Sequence, residues 1–210
     1  MLRRAIFIIL IVCLTNCSLP KPDYSLFLTN RPTSILIFQP LNSTASVDAP
    51  EKFMSTVSEA VAEQGYYVFP VALVDRLLKE NGVITPIEMR QVSRAKLQEI
   101  FKADALLDIT IEEWGTSYVV FNSTTTVKLH YKLIDLHSGG LLWEYSWTVV
   151  DSSNNGSNDF IAVLAGSLVH AISGAAGDPE VGLSYQANNQ ALMHDQVGLL
   201  SGPRAPVDPS

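Results

Sequence analysis

The order of apolar and polar positions divides the chain into short, strongly marked pieces. Ser34 to Gln39 is an apolar run stopped by Pro40, and reads as a buried first strand. Leu41 to Pro50 is rich in Asn, Ser, Thr and Asp, and reads as a loop. From Glu51 the period becomes helical, with Phe53, Met54, Val57, Ala60 and Val61 on one stripe until Gly65. Tyr66 to Phe69 predicts a second strand, again closed by a proline, Pro70. Val71 to Lys79 predicts a helix with Leu73, Val74, Leu77 and Leu78 inward and Asn81-Gly82 as its stop. Thr85-Pro86 supplies a cap and a first-turn proline for a helix through Gln91, and Ser93 caps another with Leu97, Ile100 and Phe101 on one face.

The period then drops to two. Ala105 to Trp114 places Leu107, Ile109 and Ile111 on one face and Asp108, Thr110 and Glu112 on the other. Continued alternation puts Trp114 with Asp108 and Glu112, so Trp114, Gly115 and Tyr118 are expected on a partner-facing edge. Val119 to Asp135 alternates Val127, Leu129, Tyr131 and Leu133 against Thr126, Lys128, His130 and Lys132. Leu141 to Val149 groups Leu141, Trp143, Tyr145, Trp147 and Val149 after the turn His137-Ser138-Gly139-Gly140. This is a meander with one covered and one solvated face. A polar loop from Asp151 to Asn158 leads to an apolar helix capped by Asp159, from Phe160 to about Gly174. Its Ala162–Gly166 spacing admits close helix approach, so a homodimer stays open. Residues 177–210 are expected to be a flexible tail, with room for one short helix around Gln186 to Gln196.

Composition narrows the class. The chain has 210 residues with 47% hydrophobic side chains, enough for one domain with a real core. A net charge of −7 has the wrong sign for tracking phosphates, so no nucleic-acid partner is expected. At the N-terminus, Met1-Leu2-Arg3-Arg4 precedes the apolar run Ala5 to Leu14, which is too short to span a bilayer and reads as a secretory signal. Leu14-Thr15-Asn16-Cys17 resembles the bacterial lipobox, in which the Cys thiol takes a diacylglyceryl group. The expected organisation is a signal over residues 1–16, an acylated tether over 17–32 beginning at Cys17, an α+β domain over 33–176, and the tail. Ser18 after the Cys resembles the pattern that sorts lipoproteins to the outer membrane. Cys13 leaves with the signal and Cys17 is consumed by lipid, so no thiol remains for a disulfide, a metal or catalysis.

Catalytic patterns are not found in the sequence. His130, His137, His170 and His194 are scattered, without a helical i, i+4 pair. There is no G-x-S-x-G elbow and no glycine-rich phosphate loop. Asp104 and Asp108 are the nearest thing to paired carboxylates; the expectation is solvation or pairing with Lys128 or Lys132. No enzyme, no metal and no cofactor is expected. The aromatic group Trp114, Tyr118, Trp143, Tyr145 and Trp147 reads as core, with a glycan-stacking platform as the alternative.

The order β-α-β-α-α-β-β-β-α is α+β and resembles the N-terminal domain of TolB. That likeness implies a mixed sheet of about five strands with helices packed mainly on one face. Gly65-Tyr66-Tyr67-Val68-Phe69-Pro70, Ala103-Asp104-Ala105-Leu106-Leu107, Glu113-Trp114-Gly115-Thr116-Ser117-Tyr118, and Leu133-Ile134-Asp135 with Leu142-Trp143-Glu144 are similar to stretches of a family of Gram-negative lipoproteins. The resemblance runs from about Leu19 to Ala176 and brings no catalytic residues with it. It implies a neighbouring lipoprotein like the curli secretion channel, and hence a part in an envelope or secretion assembly. The expectation is a non-catalytic lipoprotein of the outer membrane, facing the periplasm and held by acyl chains on Cys17. The alternative is a module that binds a small molecule or cell-wall glycan. A form starting after Tyr24 should melt at the same temperature with and without reductant or chelator; a shift of several degrees with chelator would reveal a metal site.

Overall fold

The computed structural model describes residues 21–119, 122–152 and 178–206. Their elements are α1 (Ser25–Asn30), β1 (Ser34–Ile37), β2 (Leu41–Asn42), α2 (Ala49–Glu63), β3 (Tyr67–Val68), α3 (Val71–Glu80), α4 (Pro86–Gln91), α5 (Arg94–Phe101), β4 (Ala105–Val119), β5 (Asn122–Asp135), β6 (Leu141–Ser152) and α6 (Pro179–Leu192). The fold is α+β around one mixed sheet in the order β3-β1-β4-β5-β6, with β2 also on β4. The proline-stopped apolar runs become its parallel part: β1 lies parallel to both β3 and β4. The alternating runs become its antiparallel part, β4-β5-β6. The signal, Cys17, the predicted helix Phe160 to Gly174 and its Ala162–Gly166 spacing lie outside the described residues.

The two faces of the sheet are covered differently. One carries the main core: Ile35, Ile37, Leu107, Ile109, Ile111, Val127, Leu129, Tyr131, Leu133 and Trp143 pack beneath α2 and α6. The other is covered, among the described residues, near the parallel strands. There Leu36, Phe38 and Leu106 meet Val74 and Leu78 of α3, Met89 of α4 and Leu97 of α5. Local chemistry fixes the short helices on that side. In α4, the Glu88 amide donates to Thr85 Oγ1 at 3.2 Å while Glu88 Oε2 accepts from the Thr85 amide at 2.8 Å, a reciprocal cap. In α5, the Lys96 amide donates to the Ser93 hydroxyl. On α3, Val74 and Leu78 face inward as expected, but Leu73 is 60% exposed, because the helix touches the sheet along a narrower stripe than its apolar content suggests.

Beneath the long helices lies a buried polar chain. The Tyr131 hydroxyl of β5 donates to Asn188 Oδ1 of α6 at 2.8 Å, and Asn188 Nδ2 donates to Thr56 Oγ1 of α2 at 2.9 Å. Thr56 Oγ1 also shares a 2.9 Å bond with the Ser184 hydroxyl. Each group is buried and each is satisfied, which low polarity makes a requirement.

Two β-bulges correct the predicted faces. In β4 the register passes from Ile111–Leu129 to Glu113–Lys128, so Glu112 is an extra residue and Trp114 is turned onto the core face opposite Val127. Trp114 is 8% exposed, with its ring in the core rather than out on a partner-facing surface. In β6 the register passes from Leu133–Trp143 to Ile134–Leu141, so Leu142 is extra and buried while Leu141 is turned outward. Leu141 therefore leaves the group in which alternation placed it.

The expected tail is also corrected for residues 178–206. Leu183, Ala187, Ala191 and Leu192 of α6 are core residues, as are Val197 and Leu199 beyond it. The irregular segment after α6 is tied back to the fold by the Trp143 indole, which donates to the Val197 carbonyl at 2.8 Å, and by the Tyr24 hydroxyl, which donates to the Gly198 carbonyl. The Gly202 amide donates to Gln64 O and the Arg204 amide to Gly65 O, at 2.7 and 3.0 Å. Gly65 has φ +87°, and a Cβ there would stand 2.1 Å from the Ala205 amide nitrogen, so only glycine admits this closure. Part of the expected tether is ordered too: α1 buries Phe27 against the same core.

Truncating Trp143 or Trp114 to Ala should cost about 3–5 kcal/mol in urea unfolding. Trp147 is half-buried, held by its indole on Gln190 Oε1 at 3.0 Å, and its truncation should cost clearly less. Equal losses at all three would contradict the burial order.

Candidate functional site at the bulged edge of the sheet

β2 pairs with β4 only at Thr110 and Ile111. The chain then turns away, with the Thr44 amide and hydroxyl both donating to Asn42 Oδ1 at 3.0 and 2.8 Å. From Glu113 to Val119 that edge of β4 has no strand beside it among the described residues. Here the surface forms an open depression of about 430 Å³ lined by Thr44, Glu112, Glu113, Trp114, Gly115, Thr116, Ser117, Thr124 and Thr126.

Three features give it chemical character. The Trp114 ring is part of the core, but its indole N–H is buried with no hydrogen-bond acceptor among the described residues. Such a donor costs about 1–3 kcal/mol to leave unmade. Glu112 pairs with Lys128 across the strands at 3.1 Å, whereas Glu113 is exposed and has no ion-pair partner among the described residues. Gly115 has φ +142° with open space where a Cβ would stand, so the backbone conformation rather than crowding calls for glycine. Thr116 fastens the far side: its hydroxyl donates to Glu180 Oε1 of α6 and shares a bond with Thr125, both at 2.9 Å. The structure thus brings Trp114 and Gly115 together at one site, and Tyr118 follows on the same strand in register with Ser123. The motif was legible; the reversed face of Trp114 was not, because a bulge leaves no mark in an alternation.

The other sequence candidates are absorbed by structure. Asp104 Oδ2 accepts from the amides and hydroxyls of both Thr33 and Ser34, at 2.7–3.0 Å, and so joins the starts of β1 and β4. Asp108 pairs with the Arg90 guanidinium rather than with Lys128 or Lys132. Arg90 also donates to the carbonyls of Pro86, Ile109 and Gln39. Lys132 and His130 both reach Glu144 instead, at 3.1 and 3.0 Å. A second cleft, of about 250 Å³ between α2 and α3, is mostly apolar, and its Asp75 and Lys79 pair with each other at 2.7 Å. Among the described residues no group of three His, Cys, Asp or Glu could hold a metal, and no helix is long and apolar enough to cross a membrane.

The family model "Putative lipoprotein GNA1162-like" matches residues 22–204. The chain belongs to the GNA1162-like lipoprotein family. A lipoprotein-named relative from Neisseria meningitidis serogroup B is 33% identical over 198 residues, covering 92% of each chain. The crystal structure of lipoprotein GNA1162 from Neisseria meningitidis is similar with a TM-score of 0.58 at 36% identity, over 68% of this chain and 99% of that one. The PelC dodecamer from Paraburkholderia phytofirmans shares the fold alone, with a TM-score of 0.51 at 14% identity over 85% and 94% of the two chains. The family match extends past the expected limit at Ala176, in keeping with the core role of α6 and the segment after it.

Partial burial of Asp104 opposes its charge, but the hydrogen bonds from Thr33 and Ser34 outweigh it and hold the carboxyl below its ordinary value of 3.8. Its contribution is therefore complete above the unfolded value and is lost as pH falls through the lower folded one. Asp104→Asn should be less stable than wild type at pH 7, with the gap closing as pH falls through the lowered folded value. A gap independent of pH in parallel urea titrations would show that the charge is not what matters.

Proposed function

We propose that this GNA1162-like protein is a non-catalytic lipoprotein of the outer membrane, facing the periplasm and acting by protein–protein contact within an envelope or secretion assembly. The observation that carries this is the lipobox Leu14-Thr15-Asn16-Cys17 directly upstream of a domain whose family match begins at residue 22. Two or three acyl chains at Cys17 anchor firmly, since each buried CH₂ contributes about 0.8 kcal/mol. Ser18 favours the outer membrane. The partner implied by the resemblance is a lipoprotein like the curli secretion channel.

The fates of the carboxylates support a binding role over catalysis. Asp104 and Asp108 are each committed to joining elements, and Asp135 accepts from the Ser138 amide and hydroxyl in the β5–β6 turn. The glycan-platform alternative loses its main support, because Trp143 is 1% exposed with its indole bonded inside the fold. What stays outward is the hydroxyl-rich β4 edge.

Cys17→Ala should accumulate as a signal-bearing precursor that takes up no labelled palmitate and leaves the outer-membrane fraction. Equal labelling of both forms would overturn the anchor. Reversible crosslinking of the acylated protein in cells should recover envelope proteins; recovery of none would overturn the assembly role.

A further inference from the structure

We infer that the edge of β4 from Glu113 to Val119 is a strand-addition site, which takes an extended segment of a partner protein carrying basic side chains. This rests on the contact-making role proposed above and names the surface and the chemistry of the partner. Three observations converge on it. β2 already pairs with this edge at Thr110 and Ile111, so the sheet accepts a strand here and then stops short. The stretch, unpaired among the described residues, borders the open 430 Å³ depression, which offers space for alternate side chains of an added strand. The Trp114 indole N–H, on a residue 8% exposed, lacks among the described residues an acceptor that an incoming carbonyl or hydroxyl would provide.

Charge selects the partner. Glu112 and Glu113 both line the depression, and among the described residues only Glu112 is answered, by Lys128. An added strand with a lysine or arginine beside Glu113 completes the pair, and an acidic one meets repulsion. The same carboxylates disfavour a second copy of this chain, whose β4 edge would bring two more. The neighbouring Thr44, Thr116, Ser117, Thr124 and Thr126 hydroxyls suit a polar, extended backbone rather than an apolar helix.

The test uses the full acylated protein in detergent and ten-residue peptides alternating threonine and valine, each with a photoreactive benzophenone. One peptide carries two lysines, one carries two glutamates in their place, and one keeps the lysines but has proline at alternate positions, which removes the donors that pair with an edge. The lysine peptide should crosslink to residues 113–119 and bind about tenfold more tightly than the glutamate peptide, with the proline peptide failing. Glu113→Lys, checked for an unchanged melting temperature, should reverse the charge preference, and Trp114→Phe should weaken binding several-fold while keeping the ring. Crosslinks elsewhere, none at millimolar peptide, equal capture of the proline peptide, or a preference unmoved by Glu113→Lys would overturn the site. Labelling that appears only once residues 153–177 are deleted would make the chain's own segment the occupant, and crosslinking of the protein to itself through this edge would make it a second copy; either overturns the partner. If the peptides fail while crosslinking in cells still recovers envelope proteins, the edge assignment falls alone. If they bind while cells yield no partner, the assembly role falls instead.

Discussion

The structure depends on closing a long loop over a buried polar chain. Thr56 on α2 and Ser184 on α6 meet at 2.9 Å although 128 positions separate them, and Asn188 completes the link to Tyr131 on β5. Closing so distant a contact costs conformational entropy, which the apolar burial of Leu183, Ala187, Ala191 and Leu192 offsets. The polar atoms contribute selectivity more than net energy. An exchanged register of α6 would leave the Tyr131 hydroxyl or the Asn188 amide buried without a partner, at about 1–3 kcal/mol for each group. Seated this way, α6 also brings Glu180 onto Thr116, and the segment after it brings the Val197 carbonyl onto Trp143. Helix position, sheet edge and C-terminal closure are therefore one linked arrangement.

The legible parts of the sequence are those where a local rule decides. Thr85 with Pro86, Ser93, and the prolines at 40 and 70 mark boundaries by their own chemistry, and the structure places elements close to where they predict. The alternation Val127, Leu129, Tyr131, Leu133 reads correctly because β5 contributes no extra residue at either bulge. Its neighbours do. Glu112 and Leu142 each add one residue, and one residue exchanges the faces of everything beyond it. Only the partner strand reveals the count, so neither Trp114 nor Leu141 could be placed from its own strand.

α6 was misread for a different reason. It is covered by the sheet on one side and by α2 on another, and two of its buried positions are Ser184 and Asn188. A helix with polar residues inside shows no apolar stripe, and Gly182 with two adjacent asparagines suggests a loop. The tertiary polar chain supplies what local propensity does not. β2 was missed because a two-residue strand has no period at all.

The bulge at Glu112 links core and surface. Without the extra residue, Trp114 would point to the solvated face and the core beneath α6 would lose its largest side chain at that end. With it, the strand turns Trp114 inward, and the stretch beyond, with Gly115 at positive φ, continues past the end of β2. An unpaired edge of this length invites indiscriminate pairing, and proteins usually blunt such edges with charge, bulges or cover. This one carries a bulge and two glutamates but no lysine, and no cover among the described residues. Glu112 is neutralised by Lys128, so the charge left on this edge is that of Glu113, which opposes a second acidic edge and suits a basic strand. One carboxylate thus bears both on self-pairing and on the class of partner.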